Sequence, residues 1–558
     1  MKVASRFRSP QRPARPQTEF ARAMEALEPD VSRWHTLARD AGRFMDQGQF
    51  EQAGKQLRTL LGNNPQDVSG LYLAAELARR TGKRGEAEQL FARCAQLSPD
   101  FDAARFRHAN TLLEIGRPDA ALQCAEELLG RAPTNPVFRG LKAMALELLD
   151  DYAAAETLWR EVLKAGAPAE YWVRYAHVLR SLGRSNESVA ASREAIARDP
   201  TLGRAWWSLA ALTSFRFSET DIAEMKALAA RPDMPAENRI PLLFALGKAC
   251  GDQTDYEKSF SFYARGNALR RLSIRHDPNL LTSHVARCKE VFTEAFFRER
   301  AGSGCESRAP IFLVGMLRSG STLVEQILAS HSQVEGTREL FNLGAIARQL
   351  QNNAGSKYPQ RLRGCDPTEF RALGDQYLES ARPFRRLGRP FFVDKMGNNF
   401  VHLGLLHLML PNAKIIDVRR HPMACGLSNF IQLYANGQDE TYRLSDMGQH
   451  YRDYARLMAH FDRVLPGRVH RVLYEHLVAD PETEIRRLLG YLELPFEESC
   501  LEFHRNARAV STISSEQVRS PIYTGALEHW RHYEPWLAPL KAALGQLADA
   551  YPAVPALD

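Results

Sequence analysis

Cysteine is scarce in this sequence, and its positions show no grouping. The 558 residues include eight cysteines, and none of them forms a C-x-x-C pair. Structural zinc sites need clustered cysteine and histidine ligands, and small secreted domains need many paired cysteines. The spacing favours neither arrangement, so we expect reduced thiols and no metal site.

Long apolar runs are also missing. The sequence contains no stretch of about 18 apolar residues, the length that spans a bilayer. The first twenty residues, MKVASRFRSPQRPARPQTEF, are basic and rich in proline and lack the apolar stretch of a secretory signal. We therefore expect no membrane partner, a cytoplasmic protein, and a disordered basic N-terminus over residues 1–30.

A strong excess of one charge is lacking as well. Lysine and arginine number 73 against 66 aspartate and glutamate, which leaves a net charge of +7. This mild excess suits an anionic cofactor or an acidic substrate, but it does not indicate nucleic acid. A chain of 558 residues with 44% hydrophobic content is expected to form two or three globular domains.

The sequence does contain a repeat with a period of 34 residues. Its members are a glycine, a small residue five positions later and a proline, seen at Gly48, Gly82 and Gly116, at Ala53, Ala87 and Ala121, and at Pro65, Pro99 and Pro133. Glycine ends a first helix in a left-handed turn, the small residue lets two helices pack closely, and proline stops the second helix. This is the period of tetratricopeptide (TPR) repeats.

The repeat predicts an all-α TPR solenoid over residues 31–213. A degenerate copy around residues 251–271 extends the helical prediction through a connector at 214–304. Such a solenoid has a concave face that can bind a protein partner. It can equally serve as a scaffold or as a homodimer contact, and the sequence leaves these interpretations open.

The sequence pattern changes after about residue 305, where the 34-residue repeat is no longer seen. Short apolar, β-branched runs at 309–315, 390–394, 413–418 and 468–474 alternate with amphipathic stretches at 320–331, 398–409, 422–434 and 481–492. This alternation predicts an α/β domain over residues 305–558 with a central parallel sheet. Ligands in such folds bind at the carboxyl ends of the strands.

One turn in this domain has the spacing of a nucleotide-binding phosphate loop. Within FLVGMLRSGSTL, Gly315 and Gly320 have the G-x-x-x-x-G spacing of such a loop. Ser321 occupies the position at which P-loop NTPases have a lysine. Arg318 restores a positive charge, and a glycine-rich turn that opens a helix offers backbone amides to an anion. Without that lysine or acidic residues to hold Mg²⁺, the loop suits an anion handled without a metal, which disfavours a kinase.

Four segments together resemble the sulfotransferase superfamily. They are PIFLVGMLRSGSTLVEQILASH, VDKMGNNFVHLGLLHLMLPNAKIIDVRRHPMACGLSNF, LYEHLVADPE and STISSEQVRSPIY with the later HW. The chain looks most like bacterial TPR-sulfotransferase proteins, whose catalytic half is similar to tyrosylprotein sulfotransferases. The resemblance implies transfer of a sulfuryl group from 3′-phosphoadenosine 5′-phosphosulfate (PAPS) to an acceptor hydroxyl, with a protein tyrosine among the candidate acceptors.

The resemblance also implies which residues hold PAPS. Its 5′-phosphosulfate loop corresponds to Arg318, Ser319, Gly320, Ser321 and Thr322. The 3′-phosphate site, an arginine at a strand end and a serine eight residues later, corresponds to Arg420 and Ser428, with Arg419 as the competing arginine. Tyr474 corresponds to a tyrosine near the adenine, or is a half-buried aromatic residue at a strand end. Ser514 corresponds to a serine near the transferred sulfate, and Tyr523 ends the segment that covers the cosubstrate.

Two further residues match catalytic positions of the family. Glu339 corresponds to the base that accepts the acceptor's proton, and Lys395 to a lysine that stabilises charge on the leaving group. Glu339 could instead cap the following helix, and Lys395 could be a surface lysine paired with Asp394. Histidine bases occur in cytosolic sulfotransferases, and His331, His402 or His407 could serve in principle. A TPR adaptor with an inactive nucleotide-binding domain is the alternative function.

Overall fold

The computed structural model describes residues 18–352, 357–435, 437–506, 508–510, 515–522 and 524–555. The chain divides into two compact units, one ending at Leu182 and the other beginning at Gly183. The second unit therefore includes the end of the predicted solenoid. The reason is local, because helix Gly203–Ala210 packs against helix Ala236–Asp252 of the connector.

The first unit consists of helices joined by short turns. They are α1 Glu19–Glu25, α2 Thr36–Asp46, α3 Phe50–Asn63, α4 Val68–Arg80, α5 Arg84–Leu97, α6 Asp102–Glu114, α7 Pro118–Arg131, α8 Pro136–Leu148, α9 Tyr152–Lys164 and α10 Ala169–Ser181. The glycines of the repeat have φ values between 73° and 81° and lie between the two helices of each pair. The alanine five residues later is fully buried in each repeat. The TPR-like helix pairs predicted from the period are confirmed.

Helix α1 lies in the stretch for which the sequence predicts no structure up to residue 30. Thr18 caps it by accepting a hydrogen bond from the Ala21 amide. Phe20 is buried against the Tyr171 ring, with centroids 4.9 Å apart, and its amide donates to the Ala165 carbonyl at 3.0 Å. One aromatic side chain thus orders a short segment whose composition alone predicts disorder.

The second unit begins with seven helices. They are α11 Ser185–Arg198, α12 Gly203–Ala210, α13 Glu219–Ala230, α14 Ala236–Asp252, α15 Tyr256–Leu272, α16 Asn279–Val291 and α17 Glu294–Glu299. Helices α14 and α15 pack as a pair, and Thr254 takes the left-handed conformation between them with φ 61°. The degenerate copy therefore keeps the paired-helix form without a glycine at its turn.

The rest of the second unit is built on a parallel sheet. Its strands are β1 Pro310–Val314, β2 Val334–Gly336, β3 Phe391–Asp394, β4 Lys414–Arg419 and β5 Val469–Leu473. Their order is β2-β3-β1-β4-β5, and each neighbouring pair is parallel. This confirms the predicted α/β architecture. Strand β2 was not predicted, because three residues carry no periodic signal.

Helices cover both faces of the sheet. They are α18 Ser321–Ala329, α19 Asn342–Asn352, α20 Pro367–Ala381, α21 Leu403–Met409, α22 Pro422–Phe430, α23 Leu444–Val464, α24 Tyr474–Ala479, α25 Pro481–Leu492, α26 Ala538–Leu544 and α27 Leu547–Ala550. Along β1, Ile311 and Leu313 belong to one buried apolar cluster, and Phe312 and Val314 to another. A strand buried on both faces leaves its carboxyl end as the place for polar chemistry.

Candidate active site

The glycine-rich turn joins β1 to the amino end of α18. Gly320 is the N-cap of α18 and has φ 102°, a conformation that L side chains rarely adopt. A Cβ atom at this position would lie 2.4 Å from Cδ2 of Tyr474. Glycine is therefore required both by the backbone and by the neighbouring ring. The turn directs the backbone amides at the start of α18 to the carboxyl edge of the sheet.

Two neighbouring segments hold this turn in place. The Leu317 carbonyl accepts hydrogen bonds from Nδ2 of Asn429 at 2.8 Å and from Sγ of Cys425 at 3.2 Å, both on α22. The Gly315 amide donates to the Gly397 carbonyl at 3.1 Å, just beyond β3. The turn is thus fixed to the ends of the two strands that flank β1. Asn429 was not predicted, although it directly follows Ser428 in the sequence.

The two arginine-containing motifs meet at this turn. Nε of Arg318 donates to Oγ of Ser428 at 3.1 Å, and Nη1 of Arg420 donates to the Arg318 carbonyl at 3.3 Å. The Arg420 guanidinium lies 4.9 Å from the centre of the Tyr474 ring. Burial lowers the pKa of Arg318. Residues separated by more than 150 positions, Arg318 to Tyr474, therefore form one cationic cluster beside Gly320.

The backbone around Arg420 is also held by side chains. The Arg420 carbonyl accepts from the Tyr451 hydroxyl at 2.8 Å, and the next amide, His421 N, donates to Oε1 of Glu475 at 2.9 Å. Tyr451 lies on α23, a helix that the sequence analysis did not identify. Glu475 directly follows Tyr474, which the sequence analysis identified, but no local pattern indicated that Glu475 would accept a hydrogen bond from the His421 amide.

Arg419 lies on the other side of β4 and belongs to a buried network. Its Nη2 is 2.9 Å from Oδ2 of Asp417, and its Nε donates to the Tyr454 hydroxyl at 3.3 Å. Arg419 is only 2% exposed, and Asp417 is fully buried. Successive residues of a strand point to opposite faces, so only Arg420 reaches the glycine-rich turn. The geometry favours Arg420 over the competing Arg419.

The hydroxyl residues of the turn lie at the start of α18. Ser319 is 1% exposed, and its Oγ has no hydrogen-bond partner within the described residues. A buried hydroxyl of this kind is rare unless a ligand or water completes it. Ser321 is the first residue of α18, and Thr322 follows it as a buried residue.

Glu339 and Lys395 form an ion pair at the ends of β2 and β3. Nζ of Lys395 lies 2.7 Å from Oε1 of Glu339. The Lys395 side chain is 4% exposed, whereas that of Glu339 is 44% exposed. A buried ammonium thus meets a carboxylate whose remaining surface is accessible to another molecule. Helix α19 starts only at Asn342, so Glu339 is not in its first turn.

Asp394 is not the partner of Lys395. Its carboxylate accepts from the Tyr377 hydroxyl at 2.7 Å and from the Met396 amide at 3.1 Å. Burial raises its pKa to about 7. The alternative of a surface lysine paired with Asp394 is therefore wrong, because Lys395 is buried and turns to Glu339 instead.

The histidines considered as bases make structural contacts, and burial lowers the pKa of His407 to about 4. Nε2 of His331 lies 3.0 Å from the Pro495 carbonyl, and His331 is fully buried. Burial lowers the pKa of His402 to about 3, and its Nδ1 lies 3.1 Å from the Tyr358 hydroxyl. These surroundings favour Glu339 over the three histidines. Ser514 and Tyr523 lie outside the described residues.

Neither a metal-ligand cluster nor a membrane-spanning helix is found in the described part of the chain. No group of three or more His, Cys, Asp or Glu residues there is placed to hold a metal ion. Among those residues, no helix combines the length and apolar character needed to cross a bilayer.

The chain matches known families in both of its parts. The sequence profile described as the sulfotransferase family matches residues 310–498. Profiles of the tetratricopeptide repeat match residues 41–100, 78–145 and 169–202. The profile match to the sulfotransferase family runs from the first residue of β1 to beyond α25, so it includes every site residue from Arg318 to Tyr474.

Two relatives are similar to this chain over different lengths. The chain is 31% identical over 447 residues to an uncharacterised protein of Aquifex aeolicus, covering 78% of this chain and 58% of that protein. It is 25% identical over 226 residues to a Caenorhabditis briggsae protein whose name gives protein-tyrosine sulfotransferase as a provisional activity, covering 39% of this chain and 80% of that protein. The aligned region thus spans less than two thirds of the first relative.

Among solved structures, the sulfotransferase domain of the Synechococcus PCC 7002 olefin synthase is similar to this chain. It is 22% identical, covers 45% of this chain and 96% of that domain, and has a TM-score of 0.34. The assignment rests on the family profile, since it matches the glycine-rich turn together with the parallel sheet around it. This chain is a TPR-containing protein with a sulfotransferase-family domain.

Proposed function

We propose that this protein transfers a sulfuryl group from PAPS to an acceptor hydroxyl. The observation that carries the proposal is the convergence of Arg318, Ser428 and Arg420 beside the amino end of α18. Guanidinium and hydroxyl donors near a helix start are suited to phosphate and sulfate oxygens. The unpartnered Ser319 hydroxyl fits a ligand that supplies an acceptor oxygen.

The donors fall into two groups that suit the two ends of such a ligand. The turn from Arg318 to Thr322 offers amides and hydroxyls for the 5′-phosphosulfate. Arg420 and Ser428, from the second motif, suit the 3′-phosphate, and the Tyr474 ring provides an apolar surface near Arg420. PAPS, when bound, supplies a sulfuryl group on a good leaving group. Sulfuryl transfer develops less charge than phosphoryl transfer, so positioned donors without Mg²⁺ suffice.

The ion pair of Glu339 and Lys395 provides the groups for the transfer itself. The accessible oxygen surface of Glu339 can accept the proton of an acceptor hydroxyl. Lys395 orients that carboxylate at 2.7 Å and presents its ammonium where negative charge develops on the leaving oxygen. From the resemblance, we also propose that Ser514 lies near the transferred sulfate and that Tyr523 belongs to the segment that covers the cosubstrate.

A protein tyrosine is the acceptor that we favour. The named activity of the Caenorhabditis briggsae relative supports it. The TPR region adds a surface of the type that binds peptides, so it would select or orient the acceptor. We propose this division of labour in place of an adaptor role, because Arg318, Arg420 and the pair of Glu339 and Lys395 are all present.

Calorimetry with adenosine 3′,5′-bisphosphate tests the proposal. We expect wild type to bind it and the Arg420→Met, Ser428→Ala double variant to bind at least about 100-fold more weakly, since two phosphate contacts are removed. Adenosine 5′-phosphosulfate, which lacks the 3′-phosphate, should lose little affinity in this variant. Arg382→Met is the control, because the Arg382 side chain is 77% exposed.

Labelled PAPS and a cell extract would then identify the acceptor. Transfer of label to a protein fraction, lost in Glu339→Gln, is the expected result. Failure of wild type to bind the bisphosphate would overturn the proposal, and binding without any transfer would favour the adaptor. Phosphate release from ATP and Mg²⁺ would instead favour a kinase.

A further inference from the structure

The segment Ser515–Ile522 connects the end of the repeat region to the phosphate-loop helix. It contains a short 3-10 turn at Gln517–Arg519. Val518 in this turn is 4% exposed, and the turn packs against α18. The segment is thus a direct neighbour of the helix whose amino end forms the proposed phosphosulfate site. We call it the 515–522 segment.

Glu516 attaches this segment to the loop after α12. Its carboxylate accepts hydrogen bonds from the backbone amide and the hydroxyl of both Thr213 and Ser214. The Thr213 Oγ1 contact is 2.6 Å. Burial alone would raise the pKa of Glu516, but the hydrogen bonds from Ser214 and Thr213 outweigh it, and the net shift is downward. Four donors on one carboxylate form a specific clamp rather than a chance surface contact.

A second contact joins the segment to Gly183, the first residue of the second unit. The guanidinium of Arg519 lies over Gly183, so that a Cβ atom at Gly183 would be 2.9 Å from Cζ of Arg519. Gly183 has φ 79° and lies two residues before the start of α11. The glycine thus serves the helix turn and also leaves room for the arginine.

The contacts continue from Arg519 to the phosphate-loop helix. Nη2 of Arg519 donates to the Arg508 carbonyl at 3.3 Å. Nη2 of Arg508 lies 2.8 Å from Oε1 of Glu325, which is on α18 and 2% exposed. Hydrogen bonds therefore link Thr213 and Ser214 to the 515–522 segment, and Arg508 links that segment to α18.

We infer that the last turns of the TPR region hold the 515–522 segment against α18 and so set the affinity of the sulfotransferase domain for its cosubstrate. Glu516 is a positioning residue in this arrangement, acting through the segment and not on the reacting atoms. The inference rests on the proposed function, because it concerns the same PAPS site. It makes cosubstrate binding depend on residues outside the sulfotransferase fold.

The test measures the Kd for adenosine 3′,5′-bisphosphate, the KM for PAPS and kcat. For Glu516→Gln, Kd and KM should rise about tenfold, while kcat at saturating PAPS stays within about twofold, since charge-assisted hydrogen bonds to a remote clamp are lost. The Thr213→Val, Ser214→Ala variant removes the two hydroxyl donors and should raise Kd by a smaller factor. Combined with Glu516→Gln, it should add nothing, because both changes break one contact.

Glu502→Gln is the matched carboxylate control, since Glu502 forms an ion pair with Arg505 at the surface. A second pair of variants isolates the glycine contact. Gly82 has φ 81° and no atom within 4 Å of a built Cβ, so Gly82→Ala introduces the same backbone strain without touching another residue. Gly183→Ala should weaken bisphosphate binding, and Gly82→Ala should leave it unchanged.

The possible outcomes separate this inference from the proposed function. If wild type binds the bisphosphate and Glu516→Gln binds it equally well, the inference fails while the proposed function stands. Additive effects of the Glu516 and Thr213/Ser214 variants would also overturn it. If wild type itself does not bind, the proposed function fails, and the inference fails with it.

Discussion

Replacing Glu339 by glutamine should separate catalysis from binding and from stability. The change keeps the shape of the side chain and one hydrogen-bond acceptor for Lys395, but it removes the negative charge 2.7 Å from a buried ammonium. Breaking a fully buried ion pair costs about 3 to 5 kcal/mol. Because the Glu339 side chain is 44% exposed, solvent screens the pair, and we expect a loss of only about 1 to 2 kcal/mol in the free energy of unfolding.

The effect on the reaction should be far larger than the effect on stability. Removal of a general base lowers rates by about 100- to 10,000-fold, which corresponds to about 3 to 5 kcal/mol in the activation free energy. The affinity for adenosine 3′,5′-bisphosphate should change by less than about threefold, since the amide still contacts Lys395 and the phosphate donors are untouched.

The assay follows initial rates of label transfer from PAPS to the acceptor fraction of an extract, with calorimetry and urea unfolding on the same preparations. Glu379→Gln serves as the control, because the Glu379 side chain is 74% exposed and pairs with Arg382 at the surface. If Glu339→Gln kept more than about a tenth of the wild-type rate, the base assignment would be refuted. A parallel collapse of stability and binding would instead show a structural role for the pair.

Three other perturbations give distinct signatures. Gly320→Ala should reduce bisphosphate affinity by about 30-fold or more in calorimetry, because the new Cβ meets the Tyr474 ring at 2.4 Å and the backbone is strained; unchanged affinity would contradict the close approach. Arg419→Met should lower the free energy of unfolding by about 3 kcal/mol in urea titrations, whereas Arg420→Met should leave it nearly unchanged and weaken binding; the reverse pattern would exchange their roles. Burial raises the pKa of Asp394 to about 7 in the folded protein, above its value in the unfolded chain. Protonated Asp394 therefore stabilises the fold fully at pH values below the pKa of the unfolded state, and this stabilisation is lost as the pH rises to 7. The free energy of unfolding should therefore be about 2 to 3 kcal/mol lower at pH 8 than at pH 5. Asp394→Asn should remove this pH dependence. If the variant kept the same pH dependence, Asp394 would not be its source.

Much of the fold could be predicted because its signals are local and periodic. The spacing of Gly48, Gly82 and Gly116 specifies helix turns that depend on a few neighbouring residues, and the structure has left-handed glycines there. The apolar runs that became β1, β3, β4 and β5 were identified within one or two residues of their observed ends. Strand β2 and helix α1 were missed, because each depends on partners distant in sequence.

Some features of the candidate site could likewise be predicted from local sequence, and others could not. The glycine-rich turn and the spacing of Arg420 and Ser428 can be found in the sequence, since each motif is a short run of fixed length. Which arginine of the pair at 419 and 420 reaches the turn is decided by the sheet, which buries Arg419 beside Asp417. The partner of Lys395 could not be deduced either, because adjacency suggested Asp394 and the fold supplied Glu339.

The sequence by itself determined the helix repeat, the strand and helix alternation and the phosphate-type turn, because backbone conformation and hydrophobic periodicity are encoded by residues close together in the chain. Only the tertiary structure decided the meeting of Arg318 with Ser428, the choice of Arg420, and the clamp of Glu516 on the loop after α12. These contacts join residues 102 to 303 positions apart. Their formation depends on how strands are ordered in the sheet and how helices pack on it, which no local pattern records.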